Sequence, residues 1–279
     1  MGAKLSQSGA KKRLGQHFLR DTAVVEKTIQ LAELRKGMRV IEIGPGQGTL
    51  TSALAKTGAE ISAVEFDRDL IPELRKNFSS RANVHIHESD FLQFQPEAHA
   101  IAPPYALIGN IPYNLTSPIL DWLEHRKTEV SQAILMMQRE VAHRVTASPR
   151  THDWGPLAIF MQLAFTVREE FDIAPASFEP SPKVWSTVVS FTPRTDAPVI
   201  SHPVEFERVV RAGFMQRRKL LANNLTATLA IPQAKAHDIL MSLGWTSKLR
   251  AEELATDGFL TLTERLVADR LISIHRPKE

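Results

Sequence analysis

Residues 41–48 read Ile41-Glu42-Ile43-Gly44-Pro45-Gly46-Gln47-Gly48, a short apolar run followed by a glycine loop that opens a helical segment. Glycines at such a turn let the backbone bend tightly and approach a ligand closely. The spacing differs from the dinucleotide fingerprint, which has a two-residue gap before its last glycine. Glu42 lies just before the turn, where a carboxylate would repel a pyrophosphate but suit the ammonium and sulfonium of S-adenosylmethionine. The stretch therefore favours a methyl donor over a nucleotide.

Strand-like and helical patterns alternate on both sides of this loop. Strand patterns cover 39–43, 60–65, 83–87, 106–109, 131–137, 165–171 and 187–191, and helical periods cover 49–56, 68–78, 118–126, 140–146 and 156–163. Such alternation indicates a parallel sheet covered on both faces, and the short connection between the last two strands predicts an antiparallel edge. With the glycine loop, the pattern predicts an α/β fold: the Rossmann-like sheet of class I methyltransferases, with helices on both faces.

The texture changes after residue 191. Pro193, Pro198 and Pro203 punctuate a polar stretch, and helical patterns at 205–214, 219–230, 232–243 and 261–273 follow without another strand candidate. We therefore predict two domains, a methyltransferase domain at 1–198 and a small all-α domain at 199–279, whose RNA-binding role is implied by the family resemblance described below.

Acidic side chains lie at the ends of the next two predicted strands. Glu65 comes 21 residues after Gly44, where a carboxylate can accept hydrogen bonds from both ribose hydroxyls of the donor. Asp90 follows the third strand and can accept from the adenine amine, with Phe91 packing near the ring. Together with Glu42, Gly44 and Gly46, these residues form the predicted donor site.

The fourth strand ends in Asn110-Ile111-Pro112-Tyr113. An aromatic exocyclic amine is a poor nucleophile, and acceptors for both of its N–H groups favour an sp3-like nitrogen as the methyl group arrives. The Asn110 side-chain oxygen and the Ile111 carbonyl suit that task, and Tyr113 offers a face on which a flipped base can stack. Phe178, in a proline-rich loop, is the candidate for the second stacking ring. The four predicted catalytic residues are thus Asn110, Ile111, Tyr113 and Phe178.

Composition narrows the class of protein. The 279 residues include no cysteine and no run of 18 apolar residues, which excludes disulfides and thiolate metal sites and argues against a membrane-spanning helix. No signal-like apolar segment follows the N-terminus, so we expect a cytoplasmic protein. His85 with His87, and Glu140 with His143, lack a third ligand at a recognisable spacing, so we expect no metal.

Charge is unevenly distributed, although the net charge is only +3. Residues 1–20 contain basic side chains and no acid, and we expect them to form a flexible basic arm. Basic clusters attract phosphate backbones and acidic surfaces in general. The basic residues are Lys4, Lys11, Lys12, Arg13 and Arg20 in the arm, and Arg208, Arg211, Arg217, Arg218 and Lys219 in a second cluster.

These residues together resemble the ribosomal RNA adenine dimethyltransferase family, and within it the bacterial small-subunit enzymes. The resemblance covers nearly the whole chain and is carried by 14–19, 42–48, Glu65, 90–91, 110–113, 138–141, the Phe178 loop and 214–225. It implies transfer of two methyl groups from S-adenosylmethionine to each of two adjacent adenosines in a 16S rRNA hairpin during ribosome biogenesis. The implied partner is small-subunit rRNA within an immature subunit, bound by a monomer.

The resemblance also implies roles for single residues. His17 and Leu19 would contact the methionine part of the donor, and Gly44, Glu65, Asp90 and Asn110 would complete its site. Relatives often carry Asn at position 17, and a histidine makes that contact sensitive to pH. Contacts to RNA phosphates are implied for Lys11, Lys12, Arg13, Arg139, Arg144 and the basic helix start formed by Arg217, Arg218 and Lys219.

Three alternatives stay open. A large-subunit adenine methyltransferase of the antibiotic-resistance type shares the donor loop and 110–113, but the match at 214–225 argues against it. A small-molecule methyltransferase would leave both basic clusters without a purpose. A non-catalytic ribosome-assembly factor would be expected to lose donor residues, whereas Glu42, Glu65 and Asn110 are all present.

Overall fold

The computed structural model describes residues 16–274, which form two compact units. The first unit comprises 16–143 and 164–194, and the second comprises 144–163 and 195–274. Lys11, Lys12 and Arg13 lie outside the described residues. Within 16–274, no helix is both long enough and apolar enough to cross a membrane.

A seven-stranded sheet forms the centre of the first unit. Its strands are β2 (Arg39–Ile43), β3 (Glu60–Glu65), β4 (Val84–Glu88), β5 (Tyr105–Asn110), β6 (Val130–Gln138), β7 (Phe165–Ile173) and β9 (Ser186–Pro193). They lie in the order β4-β3-β2-β5-β6-β9-β7. The helices of this unit are α1 (Thr22–Ala32), α2 (Thr49–Ala55), α3 (Ile71–Phe78), α4 (Thr116–His125) and the start of α5 (Arg139–Thr146). All seven predicted strands belong to this sheet, and the predicted α/β fold is confirmed.

The strand order explains where a ligand site can form. From β2 the chain runs outward to β3 and β4 and then crosses back to β5, which pairs with the other side of β2. Strands β2 to β6 are parallel, so their carboxyl ends meet at one edge of the sheet. In such sheets ligands bind in the crevice where the strand order reverses, here at the ends of β2 and β5.

The far side of the sheet is antiparallel. Strand β9 lies between β6 and β7 and pairs antiparallel with both. The predicted antiparallel edge is therefore confirmed, and it places the start of β9 beside the end of β6, where Ser186 pairs with Gln138.

A second, two-stranded sheet was not predicted. Strands β1 (Phe18–Leu19) and β8 (Phe178–Glu179) pair antiparallel, and Arg20 N donates to Ser177 O over 2.8 Å. Residues 16–20 were expected to belong to a flexible arm, but this pairing and the burial of Phe18 and Leu19 hold them against the first unit. A two-residue strand has no periodicity to detect, and its partner lies far along the chain.

Helices build the second unit, and its described residues contain no strand. They are α6 (Pro156–Ala164, all but its last residue), α7 (Pro203–Gly213), α8 (Leu221–Leu229), α9 (Gln233–Ser242) and α10 (Thr256–Ala268). The compact units differ from the predicted division of the chain in one segment, because 144–163 clusters with the second unit. Trp154 explains this difference: its indole is 1% exposed within that unit's core and donates from Nε1 to Leu254 O over 3.0 Å.

Candidate active site

A cavity of about 310 Å³ opens at the carboxyl edge of the sheet in the first unit. This volume lies within the usual range for small-ligand sites. Segments from β1, the glycine loop and the ends of β3, β4 and β5 contribute its lining. Eleven predicted site residues meet there: His17, Leu19, Glu42, Gly44, Gly46, Glu65, Asp90, Phe91, Asn110, Ile111 and Tyr113.

The glycine loop needs its glycines for two reasons. Gly44 and Gly46 have φ angles of +61° and +59°, in the left-handed region that other residues enter at a cost. A Cβ at position 46 would also lie 2.9 Å from Phe18 Cδ1. Gly46 therefore lets the N-terminal strand β1 pack directly on the loop.

Glu65 ties the glycine loop to the end of β3. Its Oε2 accepts from Gly46 N over 3.0 Å, and its Oε1 accepts from Asp67 N over 2.8 Å. Burial raises the pKa of Glu65, while these two N–H groups lower it. Each carboxylate oxygen has a second lone pair, so the side chain can hold the loop and still accept from two ligand hydroxyls.

Glu42 is fully buried at the base of the glycine loop, with 1% of its surface exposed. Burial raises the pKa of its carboxyl to about 8, Thr51 opposes the rise and Glu65 adds to it. Glu42 Oε2 and Gln47 Oε1 are buried and have no hydrogen-bond partner of good geometry among the described residues. These two acceptors suit a ligand that brings a positive charge and N–H donors, as the amino group of S-adenosylmethionine does.

Asp90 and Phe91 line the cavity just after the end of β4. Asp90 Oδ1 accepts from Leu92 N over 3.0 Å and so caps the short helical turn that follows. Phe91 is 5% exposed, and its ring centroid lies 4.7 Å from that of Trp122. The turn fixes both side chains where they line the cavity.

Asn110 lies at the end of β5, on the opposite side of the glycine loop from Glu65. Asn110 Nδ2 donates to His17 O over 2.8 Å. Because a carbonyl oxygen can only accept, this bond fixes the orientation of the amide and leaves Oδ1 to accept from another group. Ile111 N donates to Met136 O over 3.1 Å. This bond extends the pairing of β5 with β6 and fixes the position of the Ile111 carbonyl.

Tyr113 is fixed from two sides. Its hydroxyl lies 2.9 Å from Ser186 Oγ at the start of β9, and burial raises the pKa of the phenol, although Ser186 opposes the rise. The His17 ring lies 5.4 Å from the Tyr113 ring, and His17 Nδ1 is 2.6 Å from Pro180 O. The His17 side chain therefore lies beside Tyr113, while its carbonyl accepts from Asn110.

The structure does not place Phe178 on the cavity. Its side chain is 4% exposed and packs in the apolar core of the first unit, opposite Leu19 in the β1–β8 pair. The surrounding prolines suggested an exposed loop, but pairing with β1 draws the ring inward. A stacking role for Phe178 stays a prediction.

Several residues that shape the cavity were not among the predicted site residues. Gln16 Nε2 donates to Asp67 Oδ2 over 2.9 Å and fastens the N-terminal segment over the end of β3. Ser186 positions Tyr113, and Gln47 brings a buried side-chain oxygen to the glycine loop. The Gln16 and Ser186 contacts join residues that are 51 and 73 positions apart, so no local pattern predicts them.

The basic residues predicted to bind RNA divide between the two units. Arg139 belongs to the first unit, and Arg144, Arg217, Arg218 and Lys219 belong to the second. All five side chains are exposed.

The 217–219 group lies in the turn between α7 and α8, not at a helix start as predicted. Asn224 Nδ2 holds this turn by donating to Gly213 O over 2.6 Å and to Gln216 O over 3.1 Å. Arg217 is occupied within the unit, since it donates to His152 O and lies 3.7 Å from Glu252. Arg218 and Lys219 are therefore the better candidates for phosphate contacts.

Groups of three or more side chains able to hold a metal ion do not occur among residues 16–274. His143, considered above as a possible metal ligand, has its Nδ1 2.9 Å from Glu169 Oε1.

Comparison with known proteins adds a consistent result. A family model described as ribosomal RNA adenine dimethylase matches residues 7–267. A ribosomal RNA small subunit methyltransferase A from Pseudomonas fluorescens (strain Pf0-1) is 36% identical over 93% of this chain and 94% of its own. The protein of the same name from Geobacter sulfurreducens is 38% identical over 93% of this chain and 96% of its own.

Solved structures show the same architecture. A dimethyladenosine transferase from Plasmodium falciparum superimposes with a TM-score of 0.80 at 24% identity, over 93% of this chain and 100% of that one. The 23S rRNA methyltransferase ErmE gives a TM-score of 0.69 at 27% identity, over 90% of this chain and 99% of that one.

Proposed function

This chain belongs to the ribosomal RNA adenine dimethylase family, and from that premise we propose that it is an S-adenosylmethionine-dependent rRNA adenine-N6,N6-dimethyltransferase. Its substrate is two adjacent adenosines in a 16S rRNA hairpin, each of which receives two methyl groups. Relatives named as small-subunit enzymes, at 36% and 38% identity over nearly their whole length, support that choice of rRNA.

The observation that carries the proposal is the orientation of the Asn110 amide within a cavity lined by carboxyl groups. The Asn110 Nδ2–His17 O bond leaves Oδ1 as an acceptor, beside the Ile111 carbonyl. The same cavity contains Glu42, Glu65 and Asp90 around the glycine loop. The two oxygens proposed to accept from the target amine and the residues proposed to hold the methyl donor therefore line the same cavity.

When bound, S-adenosylmethionine supplies an electrophilic methyl group on a positively charged sulfur. Glu65 would accept from the ribose hydroxyls of the donor, Asp90 would accept from its adenine amine, and Glu42 with Gln47 would offer acceptors to its amino group. These contacts would hold the donor in one orientation, with its methyl group aligned for attack by the target nitrogen.

On the acceptor side, Asn110 Oδ1 and the Ile111 carbonyl accept from the two N–H groups of the target amine. They localise its lone pair on nitrogen and stabilise the positive charge that develops there. Tyr113, fixed by Ser186, provides the face on which the flipped base stacks. Phe178 stays the proposed second ring, which requires its release from the core.

Asn110→Ala tests the acceptor role, and Asn110→Asp is its matched control. We expect the alanine variant to lose at least about 100-fold in turnover with little change in donor affinity, as when one charge-stabilising group is removed. Asp keeps an acceptor oxygen but cannot donate to His17 O, so the two variants separate acceptor chemistry from the fastening of β1. Near wild-type turnover of Asn110→Ala would exclude the proposed role.

The RNA is held by phosphate contacts that position it without reading its sequence. We assign these to Arg139, Arg144, Arg218 and Lys219, which are exposed, and to Lys11, Lys12 and Arg13. The protein acts as a monomer in the cytoplasm on an immature small subunit. This placement rests on the activity of rRNA methylation and on the resemblance to small-subunit enzymes.

The second candidate is methylation of a large-subunit adenosine, favoured by the 27% identity and TM-score of 0.69 with ErmE. Incubating immature small subunits and 23S rRNA separately with labelled donor, then mapping the product by mass spectrometry, distinguishes the two. Label confined to two adjacent adenosines of 16S rRNA supports the first candidate, and label in 23S rRNA supports the second.

A further inference from the structure

We propose that Trp185 is a stacking platform for a nucleobase that neighbours the target adenosine in the RNA strand. The inference rests on the proposed function and adds a binding subsite beside the acceptor site. It comes from three observations: the place of Trp185 in the sheet, its exposure, and the cation held next to it.

Trp185 lies at the same edge of the sheet as the acceptor residues. It directly precedes β9, whose Ser186 pairs with Gln138 of β6, and β6 in turn pairs with β5 through Met136 and Asn110. The residue of β9 level with Asn110 is Val188, and Trp185 lies three residues further along. Two strand spacings of about 4.8 Å and three residues of about 3.3 Å place the backbones at Trp185 and Asn110 roughly 14 Å apart. The bond between Ser186 and Tyr113 joins the two places directly.

The Trp185 indole is exposed to solvent, although burying apolar surface would stabilise the protein. Trp185 is 43% exposed. The chain has four tryptophans, all within the described residues, and the other three are buried or partly buried. Its neighbour Val184 is 44% exposed. An exposed indole at the carboxyl edge of the sheet offers a flat apolar face on which a ligand ring can stack.

A cation is held beside the ring. The Arg139 guanidinium lies 5.6 Å from the indole centroid, and Arg139 N donates to Trp185 O over 3.0 Å. Asp172 lies 3.6 Å from Arg139 and balances part of its charge, while Lys183, two residues before Trp185, is exposed. An aromatic face with flanking cations is the arrangement that binds single-stranded nucleic acid, since bases stack on the ring and phosphates approach the cations.

The distance fits a neighbour of the target. Flipping an adenosine into the cavity unstacks the adjacent bases, which then need a new surface. A separation of roughly 14 Å is within reach of a few nucleotides of an extended strand, whose phosphates follow at intervals of several ångström. We therefore assign the Trp185 face to a base flanking the two adenosines.

The test uses a hairpin RNA with 2-aminopurine placed next to the adenosine pair, whose fluorescence falls when it stacks. We compare wild type, Trp185→Ala, Trp185→Phe and the matched control Val184→Ala, which removes exposed apolar surface without removing a π-face. Loss of one stacking contact is expected to raise the RNA Kd about 5- to 100-fold in Trp185→Ala. Trp185→Phe should largely retain quenching, Val184→Ala should stay within about two-fold of wild type, and donor affinity should not change in any variant.

The outcomes separate this inference from the proposed function. Equal quenching and RNA affinity in wild type and Trp185→Ala would overturn the platform, even if wild type methylates the RNA. Equal weakening by Val184→Ala and Trp185→Ala would also overturn it and indicate an apolar docking surface, such as one for a protein. Quenching that depends on Trp185, without any methylation by wild type, would support the platform and reject the proposed function.

Discussion

Glu42→Gln removes a fully buried carboxyl group and replaces it with a neutral side chain of nearly the same shape. Burial raises the pKa of Glu42 from an ordinary 4.5 to about 8. In the unfolded chain this carboxyl ionises near its ordinary value, so between pH 4.5 and 8 the folded protein keeps a proton that the unfolded chain has released. Since the folded state binds more protons there, its stability falls as pH rises through this window.

The size of the effect follows from the two pKa values. Each pH unit corresponds to about 1.4 kcal/mol, so the free energy of unfolding of wild type should lose about 5 kcal/mol from this group between pH 4.5 and 8. Glu42→Gln does not titrate. Its stability relative to wild type should therefore rise by about 1.4 kcal/mol per pH unit over the same window.

Urea unfolding at pH 5, 6, 7 and 8 measures this difference. Glu26→Gln, on the exposed side of α1, is the control for removing one carboxyl group. A stability difference between Glu42→Gln and wild type that stays constant from pH 5 to 8 would show that Glu42 is already ionised in the folded protein and that burial does not raise its pKa.

The same group predicts a proton release on donor binding. A ligand ammonium beside Glu42 favours the carboxylate, so at pH 7 wild type should release close to one proton for each S-adenosylmethionine bound, whereas Glu42→Gln should release none. Calorimetric titrations in two buffers of different ionisation enthalpy give this number. Equal proton release by both proteins would place the ammonium elsewhere.

Two further predictions concern the glycine loop and the basic turn. Gly46→Ala should weaken donor binding at least about ten-fold and lower stability by about 1–2 kcal/mol, because the added Cβ would meet Phe18 and position 46 has a positive φ. The control is Gly37→Ala, which also has a positive φ of +83° but has nothing within 4 Å of the added Cβ. Equal donor affinity in the two variants would contradict the role of the Phe18 contact. The double variant Arg218→Gln, Lys219→Gln should reduce the magnitude of the slope of log K against log salt for RNA binding by about 1.5, since two phosphate contacts are lost. The double variant Arg75→Gln, Lys76→Gln on α3 controls for the change in net charge. An unchanged slope in the first variant would show that the turn does not contact the RNA.

Sequence periodicity was sufficient for the sheet and for much of the cavity. All seven strands of the main sheet were predicted because each is a run long enough to show a pattern, and Glu42, Glu65 and Asn110 each lie at or near the end of one of them. Parallel strands bring such ends to one edge, so their meeting in one cavity follows from the order of elements alone.

Other features were predicted incompletely because they depend on specific side-chain contacts that no periodic pattern shows. Phe178 was expected on the cavity, but pairing with Leu19 buries it. The segment 144–163 was assigned to the first domain, but Trp154 packs in the core of the second unit. The basic group at 217–219 was expected at a helix start, and a side chain seven residues after Arg217, Asn224, helps to hold it in a turn instead.

Strand period, turn chemistry and charge are local properties, so the sequence alone was enough to predict the α/β sheet, the glycine loop and carboxyl groups at the strand ends. The packing of β1 over the cavity, the bond from Gln16 to Asp67 and the place of Trp185 beside Arg139 at the carboxyl edge of the sheet emerge only in the folded chain. Those contacts join side chains separated by tens of residues. Their energies exist only once the whole sheet has brought the two ends together.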